Sequence, residues 1–332
     1  MFSSLTRRLM LATMTSAAIG LGTIAGPSMA SAQEAYPSKP VRIVIGFGPG
    51  SGTDILARLL SDELQKSLGQ PFIVENRPGA AAQIAASAVA NAAPDGYTLF
   101  LTSNSSHSVN PHIFKSLPYD PIKDFTPIAG LAYFPFLLAI NPALPPKTPK
   151  EFVDWAKANR GNVTYAYGTS AVQIPSAALD KLLDLGTTPV AYKSSPPATT
   201  DVIGGQVSFL VVDLASSRAH IKDGRLRALA VTTAKRTALA PELPTIEESL
   251  GLKGFDLAAW TGLFGPANLP KPIADKLSVT VNEIMNRPAI RDRLNTLGAE
   301  ATPSNSTVFA ELVKTQLVLW GDKVKQAGIE PE

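Results

Sequence analysis

The chain has 332 residues, of which 45% are hydrophobic and 17% charged, so a packed core is expected over a length of about two domains. It has no cysteine and three histidines, which excludes a disulfide scaffold, a cysteine-ligated metal or cluster and a cysteine nucleophile, and leaves little material for a His-rich metal site. The formal charge is +3; Arg7 and Arg8 account for two of it, and the +1 that remains gives no electrostatic footprint for nucleic acid and no grip on an anionic membrane.

Residues 1–32 read as an export signal. Arg7 and Arg8 form a positive n-region, Leu9 to Ile24 is uncharged, and Ala30-Ser31-Ala32 is a small-x-small cleavage site that starts the mature chain at Gln33. Gly20, Gly22, Gly26 and Pro27 break the apolar stretch short of the roughly 20 residues of a membrane span. Export to a bacterial periplasm is therefore expected.

The mature chain alternates strands and helices. Val41 to Ile45 is a buried strand that enters the loop Gly46 to Asp54. Ile55 to Leu68 then repeats apolar residues at helical spacing and stops at Gly69. Phe72 to Glu75 is the next strand, an Ala-rich helix runs to about Ala92, and Asp95-Gly96 turns the chain into the strand Tyr97 to Thr102. Short loops between such elements mean βαβ units.

The pattern restarts at the strand Phe136 to Ile140. A helix follows with Thr148 as N-cap, Pro149 at its first position and Glu151 at its third. Val163 to Tyr167 is a strand, Gly168 to Gln173 a loop and Ile174 to Leu185 a helix. Pro189 to Tyr192, Val207 to Val212, Leu226 to Val231 and Trp260 to Phe264 are further strands, and the tail from Ile273 is helical. That tail has no sheet of its own, so it is expected to return to the first half. Domain 1 then comprises 33–137 plus 256–332, and domain 2 comprises 138–255, with two chain crossings as a hinge. The cleft between the carboxyl ends of the two strand sets is the expected ligand site.

Catalytic motifs are mostly absent. There is no G-x-G-x-x-G, no P-loop, no G-x-S-x-G around Ser51 and no H-E-x-x-H. What remains suits anions. The turn Gly48-Pro49-Gly50-Ser51-Gly52-Thr53 leaves a strand and opens a helix, where free amides and the helix dipole favour a carboxylate or phosphate. The same glycines would also serve a plain tight β–α connection, and Asp54 could cap the helix. Gly168 to Gln173 is a matching loop in the second half, in which Thr169 or Ser170 could equally be an ordinary N-cap. Ser103 to His107 follows the third strand and is expected to line the same cleft, with a backbone-bonded loop histidine as the other reading of His107. Asp213 ends a strand; it could accept from a ligand or cap the next helix. Trp260 and Phe264 read as core.

Several ordered segments carry a resemblance. These are Tyr36-Pro37-Ser38-Lys39-Pro40, Thr53-Asp54, Val74-Glu75-Asn76-Arg77-Pro78-Gly79-Ala80, Pro94-Asp95-Gly96-Tyr97-Thr98-Leu99, Leu117-Pro118-Tyr119-Asp120-Pro121, Gly204-Gly205-Gln206-Val207 and Trp260-Thr261-Gly262-Leu263-Phe264-Gly265-Pro266. Spread over essentially the whole mature chain, they resemble the Bug/TctC family of periplasmic solute-binding proteins of tripartite tricarboxylate transporters. The resemblance implies an α/β, two-lobed periplasmic-binding-protein (Venus flytrap) fold, with two mixed, mostly parallel sheets, flanking helices and a ligand cleft between the lobes. It implies that Phe47, Gly50, Ser51, Gly52 and Thr53 on one lobe, and Thr169, Ser170, Ala171 and Gln173 on the other, hold a small carboxylate. Ser105, Ser106 and Asp213 would set selectivity at its far end. Ala171 stands where the family's loop usually repeats a glycine, and Val172, Ile174 and Pro175 read as an apolar lip compatible with an aromatic or other long dicarboxylate. No catalytic residue, metal or cofactor is implied. The expected partners are the acid and, transiently, membrane permease subunits, with the receptor a monomer. A receptor that signals to a sensor kinase and an exported α/β hydrolase or lyase are the alternative readings.

Overall fold

The computed structural model describes residues 36–332; the segment read as an export signal lies outside them. Val41, Ile43, Val44 and Ile45 are almost wholly buried, which is what a short apolar run does at the centre of a sheet covered on both faces. This strand, β1 (Val41–Ile45), is followed by α1 (Gly52–Leu68), β2 (Phe72–Asn76), α2 (Gln83–Ala90) and β3 (Thr98–Ser103). Ser51 caps α1 by accepting from the Asp54 amide, and Gly69, in the left-handed region at φ 75°, ends it.

A π-helical turn, Ser105–Val109, and the short α3 (Asn110–Ile113) lead to β4 (Phe125–Ile140), a strand of 16 residues. The second half runs α4 (Pro149–Ala158), β5 (Thr164–Tyr167), α5 (Ser170–Leu183), β6 (Thr188–Ala191), α6 (Ser195–Ile203), β7 (Phe209–Asp213), α7 (Leu214–Lys222), β8 (Arg227–Val231) and α8 (Ile246–Leu250). The expected cap of α4 is present: the Thr148 side chain accepts from the Glu151 amide, with Pro149 in the first turn. The chain ends with β9 (Ala258–Pro266), α9 (Lys271–Asn286), α10 (Pro288–Leu297), β10 (Glu300–Ser304) and α11 (Ser306–Ala327).

The strand order is β2-β1-β3-β9-β4-β7-β5-β6, with β8 and β10 also paired to β4. β4 is the spine of this curled sheet. Its first part, Phe125 to Pro135, pairs with β9, while Phe136 to Ile140 pairs with β7 and β8. The sheets are mixed, as expected, but not mostly parallel. The outer pairs β1–β2, β1–β3, β5–β6 and β5–β7 are parallel, and every pairing of β4 and β9 is antiparallel. The reason is that β9 and β4 carry the chain back and forth between the lobes instead of following a crossover helix. Two strands are longer or newer than the sequence pattern indicates. Pro127, which lacks an amide for the ladder, sits at a register shift in β4, so the strand continues through it. β10 is short, polar and irregularly paired, without apolar alternation.

The helices cover both faces. α11 lays Phe309 directly against Gly262 of β9 and buries Trp320, and α9 packs beside α1. The tail therefore does lie on the sheet of β1 and β3. Trp260 and Phe264 are core residues, as read from their apolar setting.

One segment is strained. Ala80, Ala81 and Ala82 all have positive φ, at 45°, 51° and 71°, a region that costs a residue with a Cβ about 1 kcal/mol or more. The turn is held because Asn110 donates to the Ala81 carbonyl at 2.8 Å. Ala81→Gly removes the strain at a half-buried position, although glycine also loosens the unfolded chain. Thermal unfolding of this variant is expected to shift upward by about 2 °C; a lowered midpoint would show that the turn is not strained.

Candidate functional site

The glycine-rich loop after β1 is shaped by one carboxylate. Asp54 accepts from the Gly50 amide at 3.0 Å, from Arg58 Nε at 3.0 Å and from Asn76 Nδ2 at 2.9 Å, and Asn76 also donates to the Phe47 carbonyl at 3.0 Å. Burial pushes the Asp54 carboxyl up, but these bonds outweigh it and hold its pKa below the ordinary value. Asp54 is therefore not the helix cap. Ser51 is, and Asp54 in the first turn fixes the loop that precedes it. The α1 amides at Gly52 and Thr53 precede the first intrahelical bond and are available to a ligand.

Three more helices begin beside this loop. Thr169 caps α5 by accepting from the Val172 amide, Ser195 is the first residue of α6, and Asp213 caps α7. Between them lies a small cavity, about 30 Å³, lined from the first half by Phe47, Ser51, Gly52, Thr53, Ser103, Phe134, Phe136, Ala259 and Thr261, and from the second by Thr169, Ala171, Val172, Ser195 and Asp213. The lobes meet closely around it. A Cβ on Gly52 would stand 2.5 Å from Asp213 Oδ1, and one on Gly48 would stand 2.6 Å from Ser194 Oγ. Gly168 is pressed against the Ser194 and Ser195 backbone, where no side chain fits. The seam is sealed by Ser170 Oγ donating to Asn110 Oδ1 at 2.7 Å and the Ala171 amide donating to Ser105 Oγ at 3.3 Å.

Of the residues singled out in the sequence, Phe47, Ser51, Gly52, Thr53, Thr169, Ala171 and Asp213 are brought to the cavity. Gly50 shapes the loop from behind through its bond to Asp54. Ser105 and Ser170 are spent on the seam. Ser106 bonds Thr102 Oγ1 at 2.7 Å and His107 Nδ1 at 2.9 Å inside the first lobe. Gln173 faces a separate chamber with Tyr167, Tyr192 and Lys193. The apolar lip is reduced to Val172: α5 starts at Ser170, so Ile174 and Pro175 fall in its second turn and are buried in the core. Ser103, from the segment expected to line the cleft, does reach the cavity; Phe134, Phe136, Ser195, Ala259 and Thr261 were not singled out as ligand contacts, and of these only Ser195 and Ala259, at or next to the start of a helix and a strand, carry a positional signal, while Phe134, Phe136 and Thr261 lie within β4 and β9.

Asp213 does both things its position allowed. Its Oδ1 accepts from the Ser216 amide and its Oδ2 from the Ser216 hydroxyl, each at 2.8 Å, while the same carboxylate lines the cavity. Burial pushes its carboxyl above the ordinary value, and the Ser216 bonds only partly oppose this.

His107 is not in the cleft. It is fully buried behind the wall, stacked on Phe264 at 4.1 Å between ring centroids and flanked by Phe125. Burial lowers its pKa from 6.5 to about 3. The unfolded chain therefore takes up a proton that the folded one refuses. The stability from a neutral His107 is complete above about 6.5 and is lost as pH falls towards 3, by up to about 1.4 kcal/mol per unit. Unfolding midpoints from pH 7 to 5 are expected to fall more steeply for the natural chain than for His107→Phe; parallel curves would place the histidine in contact with solvent.

Comparison with known proteins agrees with this geometry. The family model described as "Tripartite tricarboxylate transporter family receptor" matches residues 56–329. The chain belongs to the TctC family. Among solved structures it is similar to Rpa4515 of R. palustris with adipate, at 31% identity and a TM-score of 0.87, covering 90% of this chain and 100% of that one. It is likewise similar to the periplasmic binding protein BugD, at 32% identity and 0.85, covering 90% and 100%. MatC (Rpa3494) from Rhodopseudomonas palustris with bound malate follows at 34% and 0.82, covering 87% and 100%. The fold is that of a two-lobed periplasmic binding protein, and the TctC family is one of non-enzymatic receptors for carboxylates.

Proposed function

We propose that this TctC-family protein is exported to the periplasm, captures a small carboxylate between its lobes as a monomer, and delivers it to the membrane subunits of a tripartite tricarboxylate-type transporter. The observation that carries the reading is the convergence of the α1, α5 and α6 N-termini on one cavity without a single lysine, arginine or histidine in its lining. Each helix end supplies about half a positive charge and free amides, so an acid can be held without an ionic partner. Pro196 and Pro197 remove donors from α6, so α1 and α5 carry most of the binding. The adipate and malate complexes of similar proteins support a carboxylate ligand here.

Capture is then a hinge motion. The lobes would divide at 33–137 plus 256–332 and 138–255, with closure selected by contacts to both. Two observations support this division: β4 changes partners between Pro135 and Phe136, and Thr232 bonds both Phe136 and Leu257, near the proposed second crossing.

A thermal-shift panel on the chain from Gln33 tests the ligand. A bound acid at about 100 times its Kd adds roughly 2.7 kcal/mol, a rise of several degrees. Citrate, malate, glutamate, nicotinate, adipate, benzoate and terephthalate make up the panel. A shift with one chemical class and no loss of the compound over hours is expected; consumption of the compound would point to an enzyme. Closure is tested separately. Gly52→Ala drives a methyl group into Asp213 and Phe134, so affinity is expected to fall more than tenfold with the fold retained and the radius of gyration held at its open value. Unchanged affinity would mean that the lobes do not need to meet at Gly52.

A further inference from the structure

Away from the cavity, one arginine reaches across to another helix. Arg218, on α7, donates from Nη1 to the Asn295 and Thr296 carbonyls at 2.7 and 2.9 Å, and from Nη2 to the Leu239 carbonyl at 2.8 Å. On the lobe division proposed above, Asn295 and Thr296 belong to the first lobe, and Arg218 and Leu239 to the second. We propose that Arg218 is a latch, a positioning residue that does not line the cavity but favours the closed form and so slows release of the acid. This rests on the hinge reading.

The partners of Arg218 are the first argument. Asn295 and Thr296 lie in the last turn of α10, the end that carries about half a negative charge. The Gly298 and Ala299 amides donate to the Asn295 and Leu294 carbonyls. Arg218 adds a charged donor to Asn295 and reaches Thr296, one residue nearer the helix end.

The second argument is that these bonds break when the lobes part. Nη2 is tied to Leu239 of its own lobe, so the guanidinium is not free to follow α10. Asp292 and Glu300 are in the same groove, and a carboxylate on a flexible side chain could swing after the arginine; the fixed carbonyls of a helix end cannot. The groove itself, about 630 Å³, separates Arg291, Asn295 and Ala301 from Thr237 and Leu239, so Arg218 bridges a gap and is not one contact among many in a packed core.

The third argument links the latch to the acid. α7 begins at the cavity, where Asp213 caps it, and Arg218 follows little more than one turn later. Between them Leu214 lies against Gly298, at the end of α10, where a Cβ would stand 2.9 Å from Leu214 Cγ. A helix this short moves as one body, so a rotation that opens the cavity at Asp213 also draws Arg218 off α10.

The chain has no cysteine, so spin labels on Asp62→Cys in α1 and Thr200→Cys in α6, both exposed, read the distance between the lobes. Without added acid, Arg218→Met is expected to lower the closed-to-open ratio about tenfold, with Arg218→Lys in between and the unfolding midpoints within a few degrees of the natural chain. With malate or adipate, dissociation from Arg218→Met is expected to be about tenfold faster and association within about twofold, a split that a purely structural role would not produce. Arg218→Lys carries the same comparison should Arg218→Met not fold. Distances that respond to an acid of the panel but not to the substitution, or unchanged dissociation rates, overturn the latch and leave the hinge intact. Distances that respond to neither overturn both.

Discussion

Two positions without a Cβ control how closely this protein can close. At Gly52 the first turn of α1 comes against the Asp213 carboxylate, and at Gly168 the end of β5 comes against the Ser194 and Ser195 backbone. Any larger residue at either position would hold apart the elements that form the cavity. The helix-end field decays within about one turn, so an acid benefits from both α1 and α5 only when they are this close. The glycines therefore matter less for loop flexibility than for distance. Gly168 does not need a left-handed φ, and neither does Gly52; Gly50, at φ 82°, is the one in this loop that does.

In the proposed hinge motion, β4 is the element that would carry that local closeness to the rest of the molecule. One strand serves both sheets, so a small change of twist between Pro135 and Phe136 turns one set of helix ends relative to the other. The neighbouring segment around Leu257 must bend with it, because its amide is bonded to the Thr232 carbonyl. Away from this pair of strands, the lobes meet through few buried polar bonds, chiefly Ser170 to Asn110 and Ala171 to Ser105. Those bonds can be exchanged for water at modest cost, which suits the proposed opening of the lobes.

Much of the fold was legible in the sequence because its signals are local. A five-residue apolar run marked β1, and Thr148, Pro149 and Glu151 marked the start of α4 with the caps found there. The first part of β4 was missed because Pro127 and Pro135 look like breakers, and only the sheet shows that one of them lies at a register shift. β10 was missed because its five residues have no apolar alternation. The site divides in the same way. Ser51, Gly52, Thr53 and Thr169 belong to strand-to-helix turns that announce themselves, whereas Phe134, Phe136 and Thr261 reach the cavity only because β4 and β9 lie beside it. His107 misled for a related reason: a polar residue after a strand end reads as cleft-lining, but the π-helical turn rotates it into an aromatic core.

Asp213 brings a side-chain carboxyl to a cavity otherwise bordered by helix ends. Helix dipoles alone favour any anion and distinguish poorly between acids, since backbone amides offer the same donors to each. A single carboxylate at the end of β7 breaks that equivalence. Its two oxygens are engaged by the Ser216 amide and hydroxyl of its own helix, and burial favours its neutral form. Gly52 and Asp213 meet at this cavity, so under the proposed hinge motion their contact belongs to the closed state, the one in which helix ends of both lobes reach the same acid.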